Sequence, residues 1–210
     1  MMMDAISFGF LSFTSLFMII DPIAVAPVFV AMTEKYEMNH RRKAALKACA
    51  VALAILAIFA VCGGLIFRLF GITIDALRIA GGILFFGMSM KMLTSSHPKE
   101  HLEHTEADPS IVPLGMPLIC GPGAISTVMV LMGQNSSLLH AALFFVALIV
   151  AIMATALTLI AAPYIIKFIG KTGVNVVTKI IGLIMCALGV QFVIDGVKPV
   201  VIGILLAIKS

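Results

Sequence analysis

The sequence predicts an all-α integral membrane protein: six transmembrane helices in two inverted three-helix repeats, with the first and fourth helices broken at mid-membrane. Three observations lead to this class. The 210 residues are 61% hydrophobic and only 11% charged, where a soluble domain averages about 25% charged. A mean hydropathy of +1.17 makes lipid the solvent for most of the chain, and apolar stretches near the ~20 residues of a spanning helix recur along it. The two halves also match each other, and each opens with an apolar stretch interrupted by a Pro-containing motif.

The first span is read over Ala5–Thr33. Its start, "MMMDAISFGF", lacks a basic n-region, and the apolar stretch outruns a cleavable signal, so an uncleaved anchor is expected. Ala44–Phe70 and Ile72–Leu93 follow as the second and third spans. The fourth is Ile111–Gly133, the fifth Leu138–Phe168 and the sixth Val174–Ile194. The tail after Pro199, "VVIGILLAIKS", is too short to span and is expected at the interface or packed back on the bundle. The domain reading is a single transmembrane domain, 1–210. Repeat one is 1–93, a cytoplasmic linker 94–110, repeat two 111–195 and the apolar tail 196–210.

Lys and Arg set the orientation. The odd loops and their flanks hold Lys35, Arg41, Arg42, Lys43, Lys47, Lys91, Lys99, Lys167, Lys171 and Lys179, and the other side holds Arg68, Arg78, Lys198 and Lys209. Odd loops are therefore expected in the cytoplasm and both termini outside. A re-entrant first segment would reverse that parity. The net charge of +4 does not point to nucleic acid, because the basic residues stand at the ends of apolar segments. Cys49, Cys62, Cys120 and Cys186 lie inside apolar runs, which argues against a disulfide framework.

Displacing the chain by 100 positions sets Pro22 on Pro122, Ala24 on Ala124 and Val28, Val30 and Met32 on Val128, Val130 and Met132. At nearly the same offset, "IFRLFG" ending at Gly71 aligns with "IIKFIG" ending at Gly170, and "LRIAGGI" from Leu77 with "TKIIGLI" from Thr178. Three spans per copy is an odd number, so the copies must be inverted across the membrane. Secondary transporters recur to this design, with the binding site at the midplane where the halves meet.

Asp21-Pro22 is a helix-start signal, with Asp at N-cap and Pro at N1. It falls inside the first apolar stretch. The matching position in the second half is "CGPGAIST", Cys120 to Thr127, where Gly121 and Gly123 relax the backbone and Pro122 removes a donor. Non-helical backbone at membrane depth survives only when buried in protein or lining a wet cavity. Paired breaks are the best sequence pointer to a substrate site, and their restarted helices would aim N–H groups at an anion. Asp21 is either a plain N-cap or a functional intramembrane acid that binds an ammonium or carries a proton. Gly121 fills the matching position without a charge, so the break itself does not require an acid.

The candidate substrate-binding set is Asp21, Pro22, Ala24, Pro27, Gly121, Pro122, Gly123, Ser126, Thr127 and Gln191. Ser126 and Thr127, one turn past Pro122, either bond a ligand or back-bond to their own helix. Gln191 either faces a cavity or joins two helices. Arg78 and Lys179 are expected to snorkel to the interfaces, Asp195 to be solvated at an outer helix end, and Gly81, Gly82 and Gly87 to permit close helix packing. His97, His101 and His104, interleaved with Glu100, Glu103 and Glu106, read as a solvated linker rather than a metal tract.

Taken together, "IIDPIAVAPVF", "LRIAGGILFFGMSM", "PLICGPGAIST" and "ALGVQFVIDG" resemble the MarC-related family of bacterial inner-membrane proteins. The similarity covers nearly the whole chain, in the family's motif order. Ala24 departs from the glycine usual there. The resemblance implies a six-helix inner-membrane protein, a transporter of neutral amino acids, within a wider group resembling LysE-type exporters.

The leading functional expectation is a secondary transporter of small neutral amino acids. A zwitterion would give its carboxylate to the helix N-termini and its ammonium to Asp21. The small residues Ala24, Ala26, Gly123 and Ala124 at the breaks favour a small substrate. No P-loop is present, so no cofactor is expected and coupling would be to H⁺ or Na⁺, or absent. The alternative is a metal-ion or other small-solute exporter, which would ask for several midplane ligands beyond Asp21 and Cys120. A thiol oxidoreductase would need a second cysteine where Ile20 stands. No nucleophile–base constellation suggests an enzyme. The partners expected are a small-molecule substrate and the lipid bilayer, with no nucleic acid; a homo-oligomer is compatible with this composition.

Overall fold

The computed structural model describes residues 2–33, 36–94, 119–133, 137–167 and 170–209. These residues are helical: α1 (Met2–Ile20), α2 (Pro22–Met32), α3 (Met38–Phe70), α4 (Ile74–Thr94), α5 (Pro122–Gly133), α6 (Leu138–Lys167) and α7 (Gly170–Lys209). Among the described residues four stretches are long and apolar enough to cross a membrane: Ile6–Val30, Met38–Phe70, Leu138–Tyr164 and Gly182–Ala207. The first takes in both α1 and α2. α4, which carries Asp75, Arg78 and Lys91, and α5, at 12 residues, stay outside that group.

The observed ends adjust the expected ones. α3 starts at Met38, six residues before Ala44. The extra turns carry Arg41, Arg42 and Lys43, and the Arg42 guanidinium donates to Tyr164 Oη at 3.0 Å, pinning the start of α3 to the end of α6. The tail after Pro199, expected at the interface or packed back on the bundle, continues α7 through that proline to Lys209. Proline removes only the N–H that would have met the Asp195 carbonyl, and spanning helices tolerate that loss. The linker, with its histidines, falls outside the described residues apart from Thr94, as does the first part of the fourth expected segment.

α6 forms the centre, packing on α1, α2 and α3. α3 buries one stripe at helical spacing: Ala45, Ala48, Ala52, Leu56, Ala60, Gly63 and Phe67. α6 answers with Phe144, Leu148, Ala151, Thr155 and Leu159, all at or near zero exposure. Small side chains let the backbones approach, which is how helices gain packing energy in lipid, where apolar burial alone supplies little. The outer faces of α1, α3, α6 and α7 are apolar and exposed, as helices bathed in lipid require.

α4 and α7 form the most extensive helix pair. They run antiparallel: Gly196 faces Asp75 and Ile79, Gly189 faces Gly82 and Phe86, and Lys179 Nζ donates to the Leu93 carbonyl. A Cβ on Gly189 would lie 2.7 Å from the Phe86 amide nitrogen, and one on Gly82 would lie 2.6 Å from the Gly189 carbonyl oxygen. Glycine is therefore required on both sides of this seam. Gly87 faces open space and has no such role.

Candidate functional site

The chain between α1 and α2 turns on one residue. Asp21 has φ 45° and ψ 68° and is the one non-glycine residue with positive φ among those described. The left-handed region costs an L-residue roughly 1–2 kcal/mol, and aspartate tolerates it because its short side chain bonds locally. Here it does so fully. The Asp21 N–H donates to the Phe17 carbonyl at 3.1 Å, its own carbonyl accepts from Val25 at 3.1 Å, and Oδ1 accepts the Ala24 N–H at 3.2 Å. Pro22 has no N–H to satisfy. One residue thus ends α1, caps α2 and leaves little backbone polarity unpaired, as an apolar surrounding demands.

α5 starts without an acid and without the left-handed turn that Asp21 makes. Cys120 and Gly121 precede Pro122, and the Ile125 N–H donates to the Gly121 carbonyl at 3.0 Å. The Cys120 thiol donates to the Ala52 carbonyl at 3.3 Å, tying this start to α3.

The start of α5 lies against the end of α1, just before the turn at Asp21. A Cβ on Gly123 would lie 3.0 Å from the Ile19 side chain and 3.2 Å from the Phe192 ring. A Cβ on Gly81 would fall 2.1 Å from Pro122 Cγ, so the Pro122 ring occupies the notch that Gly81 leaves in α4. Phe192 in turn meets Phe85 edge-on, with ring centroids 5.8 Å apart. α4 and α7 therefore close one side of the paired starts.

Beside them lies an open cleft of about 540 Å³. α1 contributes Leu11, Ser15, Met18 and Ile19, α4 contributes Arg78, and α5 contributes Ser126, Thr127, Val130 and Leu131. Ser126 Oγ donates back to the Gly123 carbonyl at 2.9 Å. Arg78, about one-third exposed, donates from Nη1 to Asp75 Oδ1 at 3.3 Å.

The expected site residues divide accordingly. Ser126 and Thr127 line the cleft. Pro22, Gly121, Pro122 and Gly123 are buried at the paired starts, while Ala24 and Pro27 are half-buried along α2. Asp21 is exposed beside the cleft wall formed by Met18 and Ile19, its carboxylate serving as the cap of α2. Gln191 is exposed and donates from Nε2 to Asp195 Oδ1 at 2.9 Å; its neighbour Phe192, not Gln191, reaches Gly123.

Arg78 and Ser15 are cleft residues that the sequence reading did not select. Arg78 reads as an interfacial cation because it stands near a span end, yet the structure sets it on the cleft. The available signal was its spacing: Arg78 precedes Gly81 by three residues, which places both on one helix face. Ser15, in "FTSLF", carries no such signal. Among the described residues no group of three or more His, Cys, Asp or Glu is gathered.

The family model for MarC family integral membrane proteins matches residues 6–201. The chain belongs to the MarC family. Its relatives span bacteria and archaea. It is 40% identical over 194 residues to the UPF0056 membrane protein YvbG of Bacillus subtilis, covering 89% of this chain and 92% of that one. It is 37% identical over 194 residues to the UPF0056 membrane protein MJ1677 of Methanocaldococcus jannaschii, covering 90% and 95%. Against the UPF0056 membrane protein YhcE of Escherichia coli the identity is 36% over 200 residues, covering 92% and 93%. No solved structure matches. Membership in MarC makes this an integral membrane protein, in keeping with its four long apolar helical stretches.

Proposed function

We propose that the protein is a secondary transporter of small neutral amino acids across the bacterial inner membrane. Substrate is held at mid-membrane between the first and fourth of six spans, each broken where its helix restarts. α4 and α5 supply the two remaining spans, and the halves are inverted repeats with both termini on the periplasmic side.

The observation that carries this reading is the contact between the end of α1 and the start of α5, Ile19 against Gly123 with Pro122 seated over Gly81, next to a cleft whose apolar wall also carries three hydroxyls and Arg78. Interrupted helices meeting at a polar hollow are the binding architecture of many secondary transporters. Asp21 is assigned the substrate ammonium or a coupling proton, with H⁺ or Na⁺ as driving ion. The metal-ion alternative lacks a gathered ligand set among the described residues.

The test is uptake of labelled glycine and alanine into proteoliposomes, with and without a pH gradient. Saturable uptake is expected, and Asp21→Asn should abolish it while the protein stays folded. Wild-type protein that is folded and transports neither amino acid would refute the substrate assignment. Undiminished uptake by Asp21→Asn would reduce Asp21 to a cap.

A further inference from the structure

Hydroxyls inside helices usually spend their proton on their own backbone. Most here do: Thr14, Thr33, Ser89, Thr94, Ser126, Thr155 and Thr158 each donate to a carbonyl three or four residues earlier. Ser12, Ser15 and Thr127 make no such bond; Ser12 is buried away from the cleft, whereas Ser15 and Thr127 line it. They face it from different helices, α1 and α5. The third polar wall is Arg78, which gives Nη1 to Asp75 in a long contact of 3.3 Å. A guanidinium has five donors in a fixed fork, so most of its donors are left for a ligand. Among the described residues Arg78 is the one charged residue lining the cleft.

Asp21 bears on the same question from the other side. A substrate carboxylate was expected at the restarted N-termini. At α2 that place is taken, because the Asp21 carboxylate already accepts the Ala24 N–H. A second carboxylate there would meet a like charge. The cationic wall at Arg78 is one turn along α4 from Gly81, and hence from Pro122.

We propose that the cleft between α1, α4 and α5 is an oxyanion subsite that takes the carboxylate of a small solute, with Arg78 as the charged anchor and the Ser15 and Thr127 hydroxyls as neutral donors. This rests on the transporter reading for its biological use, though not for its chemistry. Asp75 tunes the subsite by holding one edge of the guanidinium. Arg78 acts as a planar fork, so lysine replaces it poorly.

The experiment measures binding to the full-length protein in lipid nanodiscs containing phosphatidylglycerol. The ligands are alanine, propionate (carboxylate without ammonium) and alaninamide (ammonium without carboxylate). Alanine should bind, propionate should compete and alaninamide should not. Arg78→Gln should weaken alanine at least about tenfold, as the loss of a charge-assisted hydrogen bond does, and Arg78→Lys should restore little of it. Asp75→Asn should tighten propionate, because it removes a competing anion; an ion pair that is merely structural predicts no gain. Thr127→Val keeps the side-chain volume and should weaken propionate, so the proposal stays exposed to test even if an Arg78 variant fails to fold.

Alaninamide competing as well as alanine, or propionate binding indifferent to Arg78→Gln, would overturn the subsite and leave the transporter reading standing. Arg78-dependent propionate binding without amino acid uptake would uphold the subsite and sink the amino acid reading. Failure of every carboxylate to bind would overturn the proposal outright. Arg78→Gln altering only the retention of phosphatidylglycerol would assign the cleft to a lipid headgroup, and would overturn it too.

Discussion

Asp21 closes two helices with three hydrogen bonds, from its N–H, its carbonyl and its carboxylate. Its structural and functional roles can be separated by substitution. Asparagine keeps a side-chain oxygen for the Ala24 N–H and tolerates the left-handed backbone, so Asp21→Asn should leave thermal stability close to wild type. Alanine loses the cap and dislikes positive φ. Asp21→Ala should therefore lose roughly 1–3 kcal/mol, the sum of a missing cap and the left-handed penalty. Thermal unfolding in detergent reads the difference, and equal melting points for the two variants would show that the cap contributes nothing.

Between elements, the closest approach is the α4–α7 seam. Gly189 and Gly82 face each other backbone to backbone, and neither backbone can yield as a flexible side chain could. Gly189→Ala should destabilise the protein by about 1–3 kcal/mol, the usual cost of overpacking. Gly87→Ala meets nothing within 4 Å. It should be neutral or gain up to about 1 kcal/mol, because alanine is the better helix former. Melting points of the two variants decide this, and a Gly189→Ala protein as stable as wild type would mean that the helices stand farther apart. The same seam holds α4 so that Arg78 faces the cleft and Gly81 receives Pro122, so packing at Gly189 reaches the candidate site through α4.

For the whole molecule, the decisive arrangement is that the end of α1, at the Asp21 turn, and the start of α5, about a hundred residues later in sequence, meet in space. Ile19 and Gly123 mark the contact. With Cys49, Cys62, Cys120 and Cys186 replaced by serine or alanine, the pair Ile19→Cys and Gly123→Cys should cross-link in membranes with a short bifunctional reagent. The shortened side chain at position 19 makes room for the new one at 123. A control pair at Leu65 and Leu157, both on exposed apolar faces, should not react. Absence of cross-linking at 19 and 123 in protein that still folds would separate the two starts and remove the junction on which the transporter reading stands.

Much of this was legible in the residues because lipid imposes strict local rules. Hydropathy marked the long apolar stretches, and Asp21-Pro22 and Gly121-Pro122 marked helix starts, since capping chemistry is decided within a few neighbouring residues. Motif order pointed to the family that the comparison then showed. The continuation of α7 past Pro199 was not legible, because proline's local cost is outweighed when the helix around it satisfies its own backbone. Nor was the cleft. Ser15, Arg78 and Thr127 come from three distant segments; Thr127 was a candidate by its place past Pro122, but nothing local joins it to Ser15 or Arg78. Only packing decided that they share one hollow: Gly81 admits Pro122, Gly82 and Gly189 hold α4 to α7, and Gly123 lets Ile19 close against α5. Those contacts depend on which helix faces meet, and a hydropathy pattern fixes that a helix is apolar without fixing its neighbour.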